Sequence, residues 1–254
     1  MIPLSRAPGL VTRCVESPHP LFLLDLDGTL VPIVERPELA LLPAATRRLL
    51  VRLRATGARV VVVSGRSIPA VQHILDLPVD AIIGDHGAEA LIDGHMRRWL
   101  RAPEAPLARA SREVVERIDG RHGMWLEAKR HSLAVHLRLP PARRAAVIRE
   151  MTAVLRSAGL RVLRGHRVLD GQLHGIDKGR AVVRWLDQSP GNRMALYAGD
   201  DTTDEDVFRQ LRKRHDHAVT VAVGDRPRGA GFRTRSPATL ARWLARVVGA
   251  RERR

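Results

Sequence analysis

Residues 21–32 read LFLLDLDGTLVP. Four consecutive apolar residues, Leu21 to Leu24, suit a strand buried on both faces, as in a parallel sheet covered by helices. Two aspartates follow, Asp25 and Asp27, with one leucine between them. In a strand, residues i and i+2 share a side. Carboxylates held that close repel, and each makes the other harder to ionise. Asp and Gly are common turn formers, so a strand-end turn is the plain alternative. A cation site or an acid/base pair is the better reading of the two acids.

Outward from this run, strands and helices alternate. Residues 20–26 read as a strand. Residues 43–56 carry apolar positions at helical spacing and stop at Gly57. Residues 59–63 (RVVVV) read as a strand, 67–76 as a helix and 80–84 as a strand. Residues 86–100 then suggest a hairpin turning at Asp93-Gly94. The stretch 101–108, RAPEAPLA, reads as a linker. Beyond it come a helix near 107–119, strands near 124–128 and 132–138, a helix near 141–157, and strands near 160–164 and 167–171. From Gly175 the first pattern resumes: helix 178–187, strand 193–198, helix 204–213, strand 218–223 and helix 237–249.

The expected fold class is therefore α/β, a doubly wound, Rossmann-like parallel-sheet core interrupted by an inserted α+β domain. Residues 1–104 and 173–254 form the core, and 105–172 the insertion. In such sheets ligands bind beyond the carboxyl ends of the strands.

Bulk composition narrows the class further. The chain has 254 residues, 44% of them hydrophobic but only 3% aromatic, so aliphatic side chains must build the core. The lone cysteine, Cys14, excludes an internal disulfide and a cysteine-built zinc site. It fits a reducing cytoplasm. The first 20 residues lack the apolar stretch of a signal peptide, and no run is long enough to span a bilayer. A cytoplasmic protein without a membrane partner is expected, as a monomer with a dimer left open.

The formal charge is +16. The arginines are spread over every expected helix, and one Tyr and three Phe offer few stacking platforms. No nucleic-acid partner is expected. A basic surface still favours an anionic small substrate.

Four polar clusters sit at strand ends or helix starts on one expected rim: Asp25 to Thr29, Ser64-Gly65-Arg66, Lys178-Gly179, and Gly199-Asp200-Asp201-Thr202-Thr203-Asp204. Together they suit phosphoryl transfer. Attack on a phosphate by an anion needs electrostatic relief, which a hard cation on carboxylate oxygens supplies. Asp25 and Asp200, with Asp201 or Asp204, offer those oxygens. Lys178, Ser64 and Gly65 can hold the other phosphate oxygens. A carboxylate can then act as nucleophile, giving an aspartyl-phosphate.

DLDGTL, VVVSGR, the lysine of IDKGRA and GDDTTDEDVF resemble the four motifs of the haloacid dehalogenase (HAD) superfamily. The resemblance implies that Asp25 is the nucleophile and Asp27 the general acid/base. It implies a Mg2+ held by Asp25, the backbone carbonyl of Asp27 and Asp200, with Asp204 in support. Ser64 and Lys178 would hold the phosphoryl group.

HGAEALIDG (86–94), WLEAKRHSLAVHLR (125–138) and the GDD-x-TDE segment are further similar to trehalose-6-phosphate phosphatases, from about residue 19 to residue 225. That likeness implies a sugar phosphate substrate, trehalose 6-phosphate. Its contacts would be Ser64, Gly65, Arg66, His86, Gly87 and Glu89 from the core, and Glu127, Lys129, His136, Arg138 and Asp170 from the insertion. The segment VLDGQLHGIDKG departs from the family pattern. Asp170 stands for a glutamate and Leu173 for a proline, so sucrose 6-phosphate or a mannosyl phosphoglycerate is the alternative substrate.

Plainer readings stand beside these. Glu127 and Lys129 also suit a cross-strand charge pair. Asp201 and Thr203 also suit an ordinary helix N-cap.

Overall fold

The computed structural model describes residues 1–34, 36–100, 105–165, 167–188, 194–215 and 217–254. Before the insertion the chain forms β1 (Ile2–Pro3), α1 (Pro8–Glu16), β2 (Leu21–Asp25), α2 (Ala44–Ala55), β3 (Arg59–Val63), α3 (Ile68–Leu75), β4 (Ala81–Gly84), β5 (Glu89–Ile92) and β6 (His95–Arg98). Then come α4 (Ala105–Ile118), β7 (Met124–Ala128), β8 (Ser132–Leu137), α5 (Pro141–Ser157), β9 (Arg161–Arg164) and β10 (Val168–Gln172). The chain closes with α6 (Lys178–Asp187), β11 (Ala195–Gly199), α7 (Thr202–Arg214), β12 (Val219–Val223), β13 (Phe232–Thr234) and α8 (Pro237–Arg251).

Two compact units result: Met1–Trp99 with Asp177–Arg254, and Leu100–Ile176. Of the expected linker, residues 101–104 lie outside the described residues, and the remainder begins α4.

The first unit holds a nine-stranded sheet in the order β1-β13-β12-β11-β2-β3-β4-β5-β6. The run from β1 to β4 is parallel, and β5 and β6 add antiparallel. Alternation splits each central strand between two apolar layers. Phe22, Leu24, Val60 and Val62 join residues of α1, α2, α3 and α8. Leu21, Leu23, Val61, Val63 and Tyr197 join residues of α6 and α7. This is why the strands read as unbroken apolar runs. The β5–β6 turn places Asp93 and Gly94 at φ 50° and 76°, the two left-handed positions that favour Asp-Gly.

The N-terminal elements and β13 are not evident in the sequence. α1 buries only Leu10 and Cys14, one face of a nine-residue helix. Cys14, in a segment that reads as polar, is fully buried. Burial pushes its thiol up to about 12, so it is an inert core residue.

Arg251, the last residue of α8, joins α1 to α2. Its guanidinium donates to the carbonyls of Cys14 (2.5 Å), Ser17 (2.7 Å), Pro18 (3.1 Å) and Thr56 (2.8 Å). These lie at the ends of α1 and α2, where carbonyls lack intrahelical partners. Arg251→Met should lower stability by about 2–4 kcal/mol in urea unfolding. A loss below ~0.5 kcal/mol would show that water serves those carbonyls equally well.

The second unit pairs β7-β8-β10-β9, all antiparallel. A Cβ on Gly171 would meet Leu155 of α5 at 2.9 Å, so this face of the sheet carries the helix. Leu133, its cross-strand partner, and then Val135 and Leu137 lie on that face and are buried. The opposite face carries Trp125, Glu127, Ser132, His136, Asp170 and Gln172. No helix among the described residues is long and apolar enough to cross a membrane.

Candidate active site

Strand order reverses between β2 and β11, which pair in parallel although the second unit separates them in the chain. Such a reversal opens a crevice beyond the strand ends. Asp25 ends β2 and Asp200 follows the last residue of β11. Carboxylate oxygens of Asp25, Asp200 and Asp204 lie within 4.8 Å of one another. Gly28 makes this approach possible. Its φ is 77°, and a Cβ there would stand 2.1 Å from Asp200 Oδ2, so any side chain would displace the carboxylate.

Lys178, at the start of α6, reaches into the cluster. Its Nζ donates to Asp25 Oδ1 at 2.8 Å and to Asp204 Oδ1 at 3.0 Å. Tyr197 donates its hydroxyl to Asp204 Oδ1 at 2.6 Å, and the Asp201 amide donates to Asp204 Oδ2 at 2.9 Å. Asp204 is thus fixed on both oxygens, which suits support of the site. Tyr197 is the one tyrosine of the chain, and its place two residues before Gly199 was the only available signal. A buried tyrosine hydroxyl needs a partner.

Burial, then the Asp204 and Asp200 charges, push Asp25 well above the usual carboxylate range, against the pull of Lys178. Burial, then Asp204 and Asp201, lift Asp200 to about 7. Burial would lower Lys178, but Asp204 and Asp25 more than offset it and hold the ammonium charged. Three carboxylates facing one ammonium leave two negative charges uncompensated. The donor set, all oxygen, fits a hard divalent cation.

A pH dependence follows. Asp200 has an ordinary value of 3.8 and a folded value of about 7. Between these, the folded chain holds a proton that the unfolded chain has released, so stability falls as pH rises. In EDTA, unfolding free energy should drop by ~2 kcal/mol between pH 5 and 7.5, with Asp25 acting in the same direction. Divalent cation should flatten the slope. A slope of opposite sign in EDTA would refute this account of the cluster.

Asp27 stands apart. β2 ends at Asp25, and Asp27 instead forms an isolated bridge with Val31. Its carboxylate is held by Arg66, Nε to Oδ2 at 2.7 Å and an Nη to Oδ1 at 2.7 Å. The structure therefore brings Asp27 to Arg66 and not to the acidic cluster. Asp201, a candidate ligand by sequence, is also outside it. It is the N-cap of α7, accepting from the Thr202 amide at 2.7 Å.

Ser64, Gly65 and Arg66 follow β3 and are tied to the loop after β4. The Asp85 amide donates to the Arg66 carbonyl at 2.7 Å and the His86 amide to the Ser64 carbonyl at 3.0 Å. Asp85 and His86 are both left-handed, at φ 47° and 54°, a strained conformation for non-glycine residues that clusters at functional sites. It lays the His86 ring over Gly65, where a Cβ would stand 2.3 Å from the ring. Ser64 and Glu89 are buried, and Gly87 completes the turn at φ 99°.

The polar face of the second unit is organised around Glu127. Its carboxylate lies 2.9 Å from His136 Nε2 and 3.9 Å from Lys129 Nζ. Asp170 shares its cross-strand row through Ala134. The Trp125 ring stacks on His136 at 4.4 Å, and the Arg138 guanidinium lies 5.1 Å from it. Trp125 was not singled out by sequence, because its partners come from a neighbouring strand.

A family model described as trehalose-phosphatase matches residues 23–238. A trehalose-phosphate phosphatase of Mycobacterium ulcerans is 33% identical over 265 residues, spanning 96% of this chain and 64% of that protein. One of Mycobacterium bovis is 34% identical over 262 residues with the same coverage. The chain thus spans less than two thirds of the length of these curated relatives. The C-terminal domain of a C. albicans trehalose-6-phosphate phosphatase shares the fold, with TM-score 0.83, 22% identity and 98% of both chains covered.

Proposed function

The chain belongs to the trehalose-phosphatase family, and we propose that it hydrolyses trehalose 6-phosphate to trehalose and phosphate through an aspartyl-phosphate, as the last step of trehalose biosynthesis. The observation that carries this reading is the cluster of the buried Asp25, Lys178 and Asp204 with the half-buried Asp200, beside a separately held Asp27.

Asp25 attacks phosphorus and the bond to the sugar oxygen breaks. Asp27 gives its proton to the leaving oxygen. It then takes a proton from water as that water attacks phosphorus, and Asp25 leaves as a free carboxylate. Asp27 must therefore carry a proton for half of the cycle, and in the structure its carboxyl group is paired with Arg66. A dianionic phosphate competes for that guanidinium, which frees the Asp27 carboxyl group to turn toward the leaving oxygen. Ser64, Gly65 and Lys178 hold the phosphoryl oxygens. Asp25, the Asp27 carbonyl and Asp200, backed by Asp204, would hold Mg2+, which supplies charge neutralisation for attack by an anion. Glu127, Lys129, His136, Arg138 and Asp170 bind sugar hydroxyls, with His86, Gly87 and Glu89 lining the core side. The lone buried thiol suits a reducing cytoplasm.

Phosphate release across a panel of sugar phosphates, with and without Mg2+, tests this. Trehalose 6-phosphate should exceed sucrose 6-phosphate, mannosyl phosphoglycerate and glucose 6-phosphate by at least ~10-fold in kcat/KM. Asp170 and Leu173 favour the second reading, another sugar phosphate. A different best substrate would establish it, and no release from any member would overturn the phosphatase.

A further inference from the structure

The edge of the first unit's sheet holds a cavity of about 850 Å3 between the N-terminal segment, β13 and α8. Ligand sites commonly span about 300–1,000 Å3. Arg6, Arg235, Arg242 and Arg246 line it. Among the described residues, none of these four guanidinium groups has a hydrogen-bond or ion-pair partner. The one acidic residue of the lining, Asp225, already pairs with Arg233 at 3.2 Å. Here four uncompensated positive charges converge, and their mutual repulsion favours an anion among them.

A second observation concerns Trp243, which also lines the cavity and is only 4% exposed. Its indole Nε1 is buried with no hydrogen-bond partner. That nitrogen is closed off from the cavity, so the ring acts as an apolar floor beneath the arginines and not as a donor to a ligand. Thr239, Arg242 and Arg246, at i, i+3 and i+7, share one face of α8, and Trp243 lines the cavity from the neighbouring buried face. The turn before them, at the start of α8, carries the positive end of the helix dipole. Guanidinium forks match phosphate oxygens geometrically.

We propose that this cavity binds a small anion carrying several phosphates, at a site separate from the phosphatase centre. None of Asp25, Asp27, Lys178 or Asp200 lines it. β13 lies three strands from β2, roughly 14 Å at the ~4.8 Å strand spacing.

Calorimetric titration in EDTA and about 0.15 M salt tests it, with inorganic tripolyphosphate and ATP as probes. One saturable site per chain is expected. The double variant Arg242→Ser/Arg246→Ser should weaken it at least ~10-fold, and Arg6→Ser, on a separate segment, should weaken it too. Asp25→Asn should bind as the wild type does. Equal affinity for both probes would mark a site for linear phosphate, and tighter ATP a nucleotide site. Unchanged affinity in the double variant would overturn the proposal. So would no saturable binding of either probe. All three arginines are exposed, so unchanged thermal unfolding should accompany the loss.

Discussion

Asp25→Asn should reduce phosphate release by at least ~10³-fold, with a folded state no less stable than the wild type. An amide nitrogen or oxygen is a poor nucleophile, so the covalent step is lost. A simple ligand role makes a different prediction, because Asn keeps an oxygen donor and excess cation would then recover activity. Activity regained at about 50 mM Mg2+ would therefore overturn the nucleophile assignment. Stability is informative for the opposite reason. Asp25 is pushed above the usual range by burial and by Asp204 and Asp200. Replacing it removes one of three crowded acids, and Lys178 keeps Asp204 as a partner. In EDTA the unfolding midpoint should hold or rise, the usual trade between function and stability at an active site. A variant that is both inactive and clearly destabilised would point to a structural role instead.

What the sequence made legible follows from how local each signal is. The strand at 21–25 and the valine run at 60–63 are buried on both faces, so their period-free apolar pattern identified them. The Asp-Gly turn needed only two residues. The N-terminal strand escaped notice because two residues carry no periodicity, and β13 pairs only through its neighbours. The four acidic and basic clusters were visible because each sits at a strand end or a helix start. Their partners were not. Asp25 meets Lys178 across 153 positions, and Arg66 meets Asp27 across 39. The alternation rule also misled at one point. It places Asp25 and Asp27 side by side, but the strand stops at Asp25. Asp25 has a side chain 5% exposed and Asp27 one that is 40% exposed. The two acids so acquire unequal environments, one buried and one half-exposed and paired with Arg66.

Lys178→Met should lower stability by about 3–5 kcal/mol, the expected range when one partner of a buried ion pair is removed. The lysine side chain is 4% exposed, and those of its partners Asp25 and Asp204 are 5% and 0% exposed. Methionine nearly conserves volume, so the loss reports charge and hydrogen bonding more than packing. Without the ammonium, two buried carboxyl groups must stay ionised unaided or take up protons. Protonation is easier at low pH, so the deficit against wild type should shrink between pH 8 and pH 5.5. Divalent cation should recover part of it, since it supplies positive charge to the same cluster. Urea unfolding at both pH values, with EDTA and with about 10 mM Mg2+, measures this. A deficit equal at the two pH values would mean that lost packing, and not uncompensated charge, dominates. Should the single variant fold too weakly at pH 8, Lys178→Met with Asp204→Asn extends the test. The asparagine side chain keeps an oxygen to accept from the Tyr197 hydroxyl, while one stranded charge is removed. The double variant should then be more stable than Lys178→Met alone, a coupling that only a charge-based role for Lys178 predicts.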